Sequence, residues 1–345
     1  MTDSTTRTSQ VTIFDVAAEA GVSTATVSRV ANGHPNIRDE TRVLVREVMD
    51  RLGYVANLRA RALAGGKTNV IGLLVDDLES SYITQIVRGV DAAVFEHGYG
   101  VMLATTHQRA GRGPRPLAPL FNGLTDGVIV LFATGFETYV VEAAERGFPV
   151  VIVDHDPTPA APVIKTANEE GAHDAVRHLI DLGHRRIGII TGEQDIASAR
   201  ERLQGYRAAL DEAGLPRDES LVAEANFLVE GGARATDHLL DLEDPPTAIF
   251  ASSDTEAFGA MLTIQQRGLS IPGDVSLVGF DDIPEASYVT PALTTVRQPM
   301  HDIGRRAAET LLDTMADPDQ PPTTIELPTE LVIRASTARV PDRPA

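Results

Sequence analysis

Residues 12–31 read TIFDVAAEAGVSTATVSRVA, and this stretch decides how the front of the chain folds. Thr12 followed three residues later by Asp15 is a capping-box pattern, and Val16, Ala17 and Ala20 recur at helical spacing, so a short helix runs to Ala20. Gly21 can take the positive φ that ends a helix abruptly, and Ser23 can cap a second helix over Thr24–Ala31. Ala17 is small enough for close approach, Gly21 makes the turn and Val27 buries between the helices. These are the demands of a helix-turn-helix. Helix pairs joined at a glycine occur in many folds, so the outward residues matter more. Thr24-Ala25-Thr26-Val27-Ser28-Arg29 presents hydroxyls and methyls that fit base edges and phosphates, with one arginine able to grip guanine bidentately. A third helix is predicted after it, with Leu44, Val48 and Leu52 on one stripe, Val45 and Met49 beside it, and Gly53 as its stop.

The charge balance follows the same division. The 345 residues carry a net charge of -19, which alone argues against a nucleic-acid partner. Residues 1–67 hold nine basic and seven acidic side chains, however, so residues 68–345 carry twenty-one basic against forty-two acidic. A mildly basic head sits on a strongly acidic body, and only the head can approach phosphate. The length suits two or three domains. With no cysteine, disulfides, thiolate metal sites and thiol nucleophiles are excluded. MTDSTTRTSQ at the front lacks an apolar signal core, and no later run approaches membrane-spanning length, so a cytoplasmic location is expected.

From Val70 the pattern changes. Strand-like runs VIGLLV, GVMLAT, GVIVLF and PVVIVD alternate with helical segments at 82–97 and 138–146. RRIGIIT, TAIFAS and VSLVGF then alternate with helices at 169–182, 198–213 and 254–267. A parallel sheet with crossover helices therefore occurs twice, and two such lobes place their strand ends around a shared cleft. Asp154 follows VVIV and Asp281 follows VSLVGF, which puts both carboxylates at its mouth. The alternative is structural: either could cap the loop after its strand, Asp281-Asp282 could cap a short helix, and Asp254 is read as a helix cap.

IFDVAAEAGVSTATVSRVANG, Thr41-Arg42 and LGYVANLRARALAGGKT resemble the DNA-binding head and hinge of the lactose-repressor/galactose-repressor family. The likeness continues through GVIV, LGHRRIGIITG, RLQGYRAAL, VSLVGFDD and PALTTVRQP, and so spans nearly the whole chain. It implies an α/β protein: an all-α helix-turn-helix head (1–55), a hinge helix and linker (56–67), and a two-lobed core (68–345) like that of periplasmic binding proteins. The first lobe would take residues 68–164 and 298–324, the second 165–297 and 325–338. By position, Thr24, Ala25 and Arg29 would read the major groove, with Thr12, Ser23, Ser28 and Asn32 near phosphates. Asn57, Ala60 and Leu63 would act in the minor groove, Leu63 as a wedge that kinks the duplex. The helix former run 56–64 is too short to be stable in water by itself, and a helix-to-core contact is the alternative for Leu63. Tyr82, Asp154, Ser198, Arg202, Phe227, Ser253 and Asp281 would line a site for a sugar effector, carboxylates and guanidinium meeting hydroxyls and aromatic faces meeting the ring.

The resemblance further implies a transcriptional regulator, a repressor working as a homodimer on a pseudo-palindromic operator and switched by its effector. The chain departs from the family at Arg38, where a capping serine is usual, at Arg59 in the hinge, at Ser253 and Ala167 in the cleft, and at residues 106–119, whose glycines and prolines oppose a helix. Gly66-Lys67-Thr68 is not a phosphate loop, because Arg61 stands where its first glycine belongs and a helix precedes it. His155, and His173 with His178, have poor spacing for a metal. No cofactor and no catalytic residue are expected, and no serine–histidine or carboxylate pair supports an enzyme. A solute-binding protein of transport is the competing reading, disfavoured by residues 12–64.

Overall fold

The computed structural model describes residues 11–31, 36–54, 67–76, 78, 80–105, 123–131 and 137–340. The chain divides into two compact units with a boundary between Asn69 and Val70.

In the head, α1 (Ile13–Ala20), α2 (Thr24–Ala31) and α3 (Asp39–Leu52) enclose a small core of Val16, Ala17, Ala20, Val27, Val30, Val45 and Val48. The capping box forms: the Thr12 amide and hydroxyl both donate to Asp15 Oδ2, at 2.8 and 2.7 Å. These bonds hold the Asp15 carboxyl below its ordinary range. Gly21 adopts φ 65°, and Ser23 Oγ accepts the Thr26 amide at 3.2 Å to start α2. The α3 stripe is shifted from the expected one. Val45 and Val48 are buried and Met49 and Leu52 pack beside them, while Leu44 is 45% exposed. Positions 45, 48, 49 and 52 make the i, i+3, i+4, i+7 face, and Leu44 lies a residue off it. No side chain caps α3, whose N-cap is Arg38. Residues 32, 57, 60 and 63, which include the hinge and its Leu63, lie outside the described residues, as does 106–119.

The body contains two six-stranded sheets of matching order. The first runs β2 (Gly100–Thr105), β1 (Val70–Val75), β3 (Gly127–Leu131), β4 (Val150–Val153), β5 (Val163–Thr166), β11 (Thr324–Leu327), all parallel. The second runs β7 (Val222–Glu224), β6 (Ile187–Thr191), β8 (Ala248–Ala251), β9 (Ser276–Asp281), β10 (Thr294–Arg297), β12 (Glu330–Val332), with only β12 antiparallel. The central strands are wholly buried, as near-continuous apolar runs covered on both faces must be. Helices α4 (Ser81–Glu96), α5 (Glu137–Glu145), α6 (Asn168–Asp181), α7 (Ala197–Glu212), α8 (Val229–Leu240), α9 (Asp254–Gln266) and α10 (Met300–Ala316) supply the crossovers.

Two of these, α8 and α10, fall outside the alternation read from sequence. Each packs tightly on a neighbour through glycine. A Cβ at Gly304 of α10 would lie 2.1 Å from the Ile86 carbonyl of α4, and one at Gly232 of α8 would lie 2.2 Å from the Glu256 carbonyl of α9. The lobe limits also shift slightly. Lys165, Thr166 and residues 325–327 pair within the first sheet, where the sequence reading placed them with the second. The chain thus crosses between sheets near Ala167, Gln298 and Pro328. Among the described residues no helix is long and apolar enough to cross a membrane.

Candidate functional site

The C-terminal ends of the strands from both sheets converge in the body, and the expected cleft residues meet there. Arg202 on α7 is only 4% exposed. Its Nε donates to Asn168 Oδ1 at 2.9 Å and its Nη1 to the Ser252 carbonyl at 2.5 Å. The guanidinium lies 3.9 Å from the Phe280 ring centre and 5.9 Å from that of Phe227, and Nη1 stands 3.8 Å from Asp281 Oδ1. Ser198, one turn earlier, donates across the cleft to Asp154 Oδ2 at 2.7 Å. Asp154, from the first sheet, therefore faces α7 of the second.

Burial dominates the electrostatics. It raises the Asp154 carboxyl against the opposing pull of Arg202 and the Ser198 bond, and it pushes Asp281 up to about 6 despite Arg202 and Gln298. Tyr82, at the start of α4, is pushed well above its ordinary value by burial and then by Asp154 and Asp281. One buried guanidinium thus serves two carboxylates that are both strained toward neutrality. The backbone is strained at the same points: Asp154 (φ 57°), Phe227 (φ 59°), Asp281 (φ 122°) and Asp282 (φ 59°) are all left-handed. Non-glycine residues hold such angles only where the surroundings over-determine them, which is a mark of binding sites.

The capping alternatives fare differently. Asp281 accepts Gln298 Nε2 at 2.7 Å, and Asp282 accepts Arg297 Nε at 2.7 Å and Arg334 Nη2 at 2.6 Å. Neither caps the short helix Pro284–Ser287, whose N-cap is Ile283. Asp254 does not cap α9 either. Its oxygens take the Ile283 amide at 2.9 Å and the Thr295 hydroxyl at 2.5 Å, tying α9 to the strands behind it. Ser253 is the cap, accepting the Glu256 amide at 3.1 Å. Being 4% exposed, it has its hydroxyl committed inside the helix turn. The histidines stand apart: His155 Nδ1 meets the Asp156 carbonyl, His173 meets Glu212 at 2.8 Å and His178 meets Thr337 at 3.0 Å.

Sequence reasoning missed three polar residues here. Gln298, at a crossing between sheets, joins Asp281 to the Thr166 hydroxyl at 2.7 Å. Asn168 orients Arg202 while donating to Glu201 Oε2 at 2.9 Å. Glu256, fully buried, accepts the Phe227 amide at 2.8 Å. Gln298 and Asn168 follow β10 and β5, short strands not among the apolar runs read from the sequence, and Glu256 lies inside a helix, so the strand-end signal did not reach them, though Gln298 lies in the quoted PALTTVRQP.

In the head, Val27 and Val30 of α2 face the core. Ala25 and Arg29 are exposed on the opposite face, with Thr24 and Ser28 half-buried beside them and Thr12 and Ser23 exposed nearby.

Comparison with known proteins places both units. Residues 12–57 match the family described as bacterial regulatory proteins, lacI family, and residues 176–337 match a periplasmic binding protein-like domain. Catabolite control protein A of Priestia megaterium is 36% identical over 330 residues, spanning 95% of this chain and 99% of that protein. The ribose operon repressor of Haemophilus influenzae is 37% identical, over 94% of this chain and 98% of the relative. The lac repressor dimer bound to operator superposes with a TM-score of 0.81 at 30% identity, covering 95% and 99% of the two chains. The regulator CelR in complex with cellobiose gives 0.71 at 34% identity, covering 94% and 99%. The chain belongs to the lacI family of bacterial regulatory proteins and is a DNA-binding transcriptional regulator, with an α/β effector-type body behind a helix-turn-helix head.

Proposed function

We infer that the cleft is the effector site and that its occupant is a small sugar or sugar derivative. The observation that carries this reading is the meeting of Asp154 and Ser198 from opposite sheets beside Arg202 and Asp281. Two carboxylates and a guanidinium suit vicinal hydroxyls, and the rings of Tyr82 and Phe227 suit the apolar face of a sugar. Relatives described with bound cellobiose or ribose support the class of ligand. Ser253 contributes through the turn it caps.

In this reading the head, residues 1–55, reads the operator with Thr24, Ala25 and Arg29, while Thr12, Ser23, Ser28 and Asn32 hold phosphates. Residues 56–67 form the hinge, with Asn57, Ala60 and Leu63 in the minor groove. Two copies bind a pseudo-palindrome, as a C2 dimer matches two half-sites. The body comprises a first lobe of 68–166, 299–327 and a second of 168–297, 329–338, and its closure on the sugar sets the hinge. A regulator that acts on operator DNA in this way would work in the cytoplasm.

Asp154→Asn and Asp281→Asn test this. Each keeps the shape of the side chain and removes the negative charge to which a sugar hydroxyl would donate. Sugars that stabilise the wild-type chain in a thermal-shift panel should bind each variant roughly ten- to a hundred-fold more weakly, the cost of a hydrogen bond to a charged group. Operator affinity measured by fluorescence anisotropy without sugar should be unchanged. An undiminished sugar response in both variants would remove these carboxylates from the effector site.

A further inference from the structure

The buried glutamate on α9 has no part in the reading above, yet it reaches the cleft through its contacts. Glu256 Oε1 accepts the Phe227 amide at 2.8 Å, and Oε2 meets the Ser253 hydroxyl at 3.2 Å. Phe227 holds a left-handed φ of 59°, and its amide points to the Glu256 side chain on α9. Its ring lies over the main chain of Gly192, where a Cβ would come within 2.1 Å of the ring carbons, and flanks the Arg202 guanidinium. A residue with a left-handed backbone keeps it only if something rewards it.

We propose that Glu256 is the positioning residue of the cleft's aromatic side: its buried carboxyl captures the Phe227 amide and, with Ser253, fixes the ring against Gly192 and Arg202. Calling that ring a wall for a sugar rests on the effector reading; the clamp itself does not. Burial pushes the Glu256 carboxyl up to about 8. At neutral pH this favours the protonated carboxyl, whose Oε1 accepts the Phe227 amide while Oε2 accepts the Ser253 hydroxyl. The charged groups facing it are Arg202 on α7, which favours the anion, and Asp281 at the end of β9, which opposes it. Helix α8 presents Gly232 to its main chain, and Asp254 on its own helix is engaged with Ile283 and Thr295. Loss of the proton tightens both accepted bonds and draws the carboxylate toward Arg202, so the ring should move with the titration.

The test needs no effector. The full chain is produced with 4-fluorophenylalanine at its ten phenylalanines, and the Phe227 fluorine resonance is assigned as the one missing in Phe227→Leu. Titrated from about pH 6 to about pH 10, this resonance should shift with a midpoint near 8. In Glu256→Gln, which keeps both the acceptor and a donor, it should stay at its low-pH position throughout. In Glu256→Met, which fills the space without an acceptor, it should move to a solvent-like position at every pH. A titration that survives in Glu256→Gln, or an unmoved resonance in Glu256→Met, would overturn the clamp. If the methionine variant does not fold, the comparison of wild type with glutamine decides alone. Absence of any sugar response would count against the effector reading and leave the clamp standing.

Discussion

Arg202→Met should destabilise the body by about 3–5 kcal/mol at pH 7.5, and by clearly less at pH 5. The substitution keeps the buried stem and a sulfur against Phe280, and it removes two hydrogen bonds, to Asn168 and to the Ser252 carbonyl, and one nearby charge. Each buried acceptor left without its donor costs about 1–3 kcal/mol, and breaking a buried ion pair costs about 3–5 kcal/mol in comparable sites. Asp281 limits the loss by taking up a proton, at roughly 1.4 kcal/mol for each unit between its folded pKa and the working pH. With that pKa near 6, the release is cheap. The pH dependence follows from the direction of the shifts. Arg202 holds both Asp154 and Asp281 below where burial alone would put them, so its removal raises both folded values further. A carboxyl whose folded pKa is raised gives stability that is complete at low pH and lost as pH climbs through that value. The variant's deficit against wild type must therefore widen from pH 5 to pH 7.5. Thermal unfolding of the full chain at the two pH values checks it, with a fall in the body's transition of roughly 10 °C expected at the higher pH. Adding Asp281→Asn should recover part of the loss and flatten its pH dependence. A deficit under about 1 kcal/mol, or one identical at both pH values, would refute the picture of Arg202 as the counter-charge of buried carboxylates.

Two further predictions concern the head and the assembly. Leu63→Ala should weaken specific operator binding by about tenfold or more while leaving binding to random duplex nearly unchanged, because a wedge offsets unstacking only on a deformable central step; equal losses in a filter-binding comparison would make Leu63 a packing residue. Light scattering at micromolar concentration should give the mass of a dimer, the assembly in which the similar lac repressor meets its operator and the one that matches two half-sites, and a stable tetramer would contradict this.

How much of this was legible in the sequence depends on how local the cause is. The turn at Gly21, the cap at Ser23 and the α2 limits rest on contacts three or four residues apart, and the pattern in residues 12–31 contains them all. Strands β1, β3, β4, β6, β8 and β9 are buried on both faces, and continuous apolar runs announce them. Helices α8 and α10 are less visible, because α8 opens with Gly231 and Gly232, which lower helix propensity and are explained only by the neighbour they let in. The site splits the same way. Asp154 and Asp281 could be found because strand ends line clefts. Asp254 was misread because an aspartate at a helix start ordinarily caps it, and its true partners are 29 and 41 residues away. Glu256 was harder to find: by composition alone a glutamate on a helix belongs to the surface, and beyond the Ser253 hydroxyl one turn back its partner is the Phe227 amide in a separate loop.

The contacts across the cleft bear on how such a body can switch. Ser198 reaches Asp154, Arg200 pairs with Asp156, and Ser81 donates to Glu285 at 2.7 Å, while Lys165 bridges Glu201 and Glu326 near a crossing. Ile283, in the loop after β9, is buried in a core cluster of the first lobe, and Phe258 of α9 packs against the same cluster. The exposed contacts among these, Arg200 with Asp156 and Ser81 with Glu285, contribute about 0–1 kcal/mol each, in contrast to the apolar clusters that hold the lobes themselves together. A ligand must favour one state by about 5.5 kcal/mol to invert a hundredfold bias, more than any one of these contacts supplies and comparable to several together. In the effector reading proposed above, a few hydrogen bonds from a sugar to Asp154, Arg202 and Asp281 would be of the size needed to choose between two states.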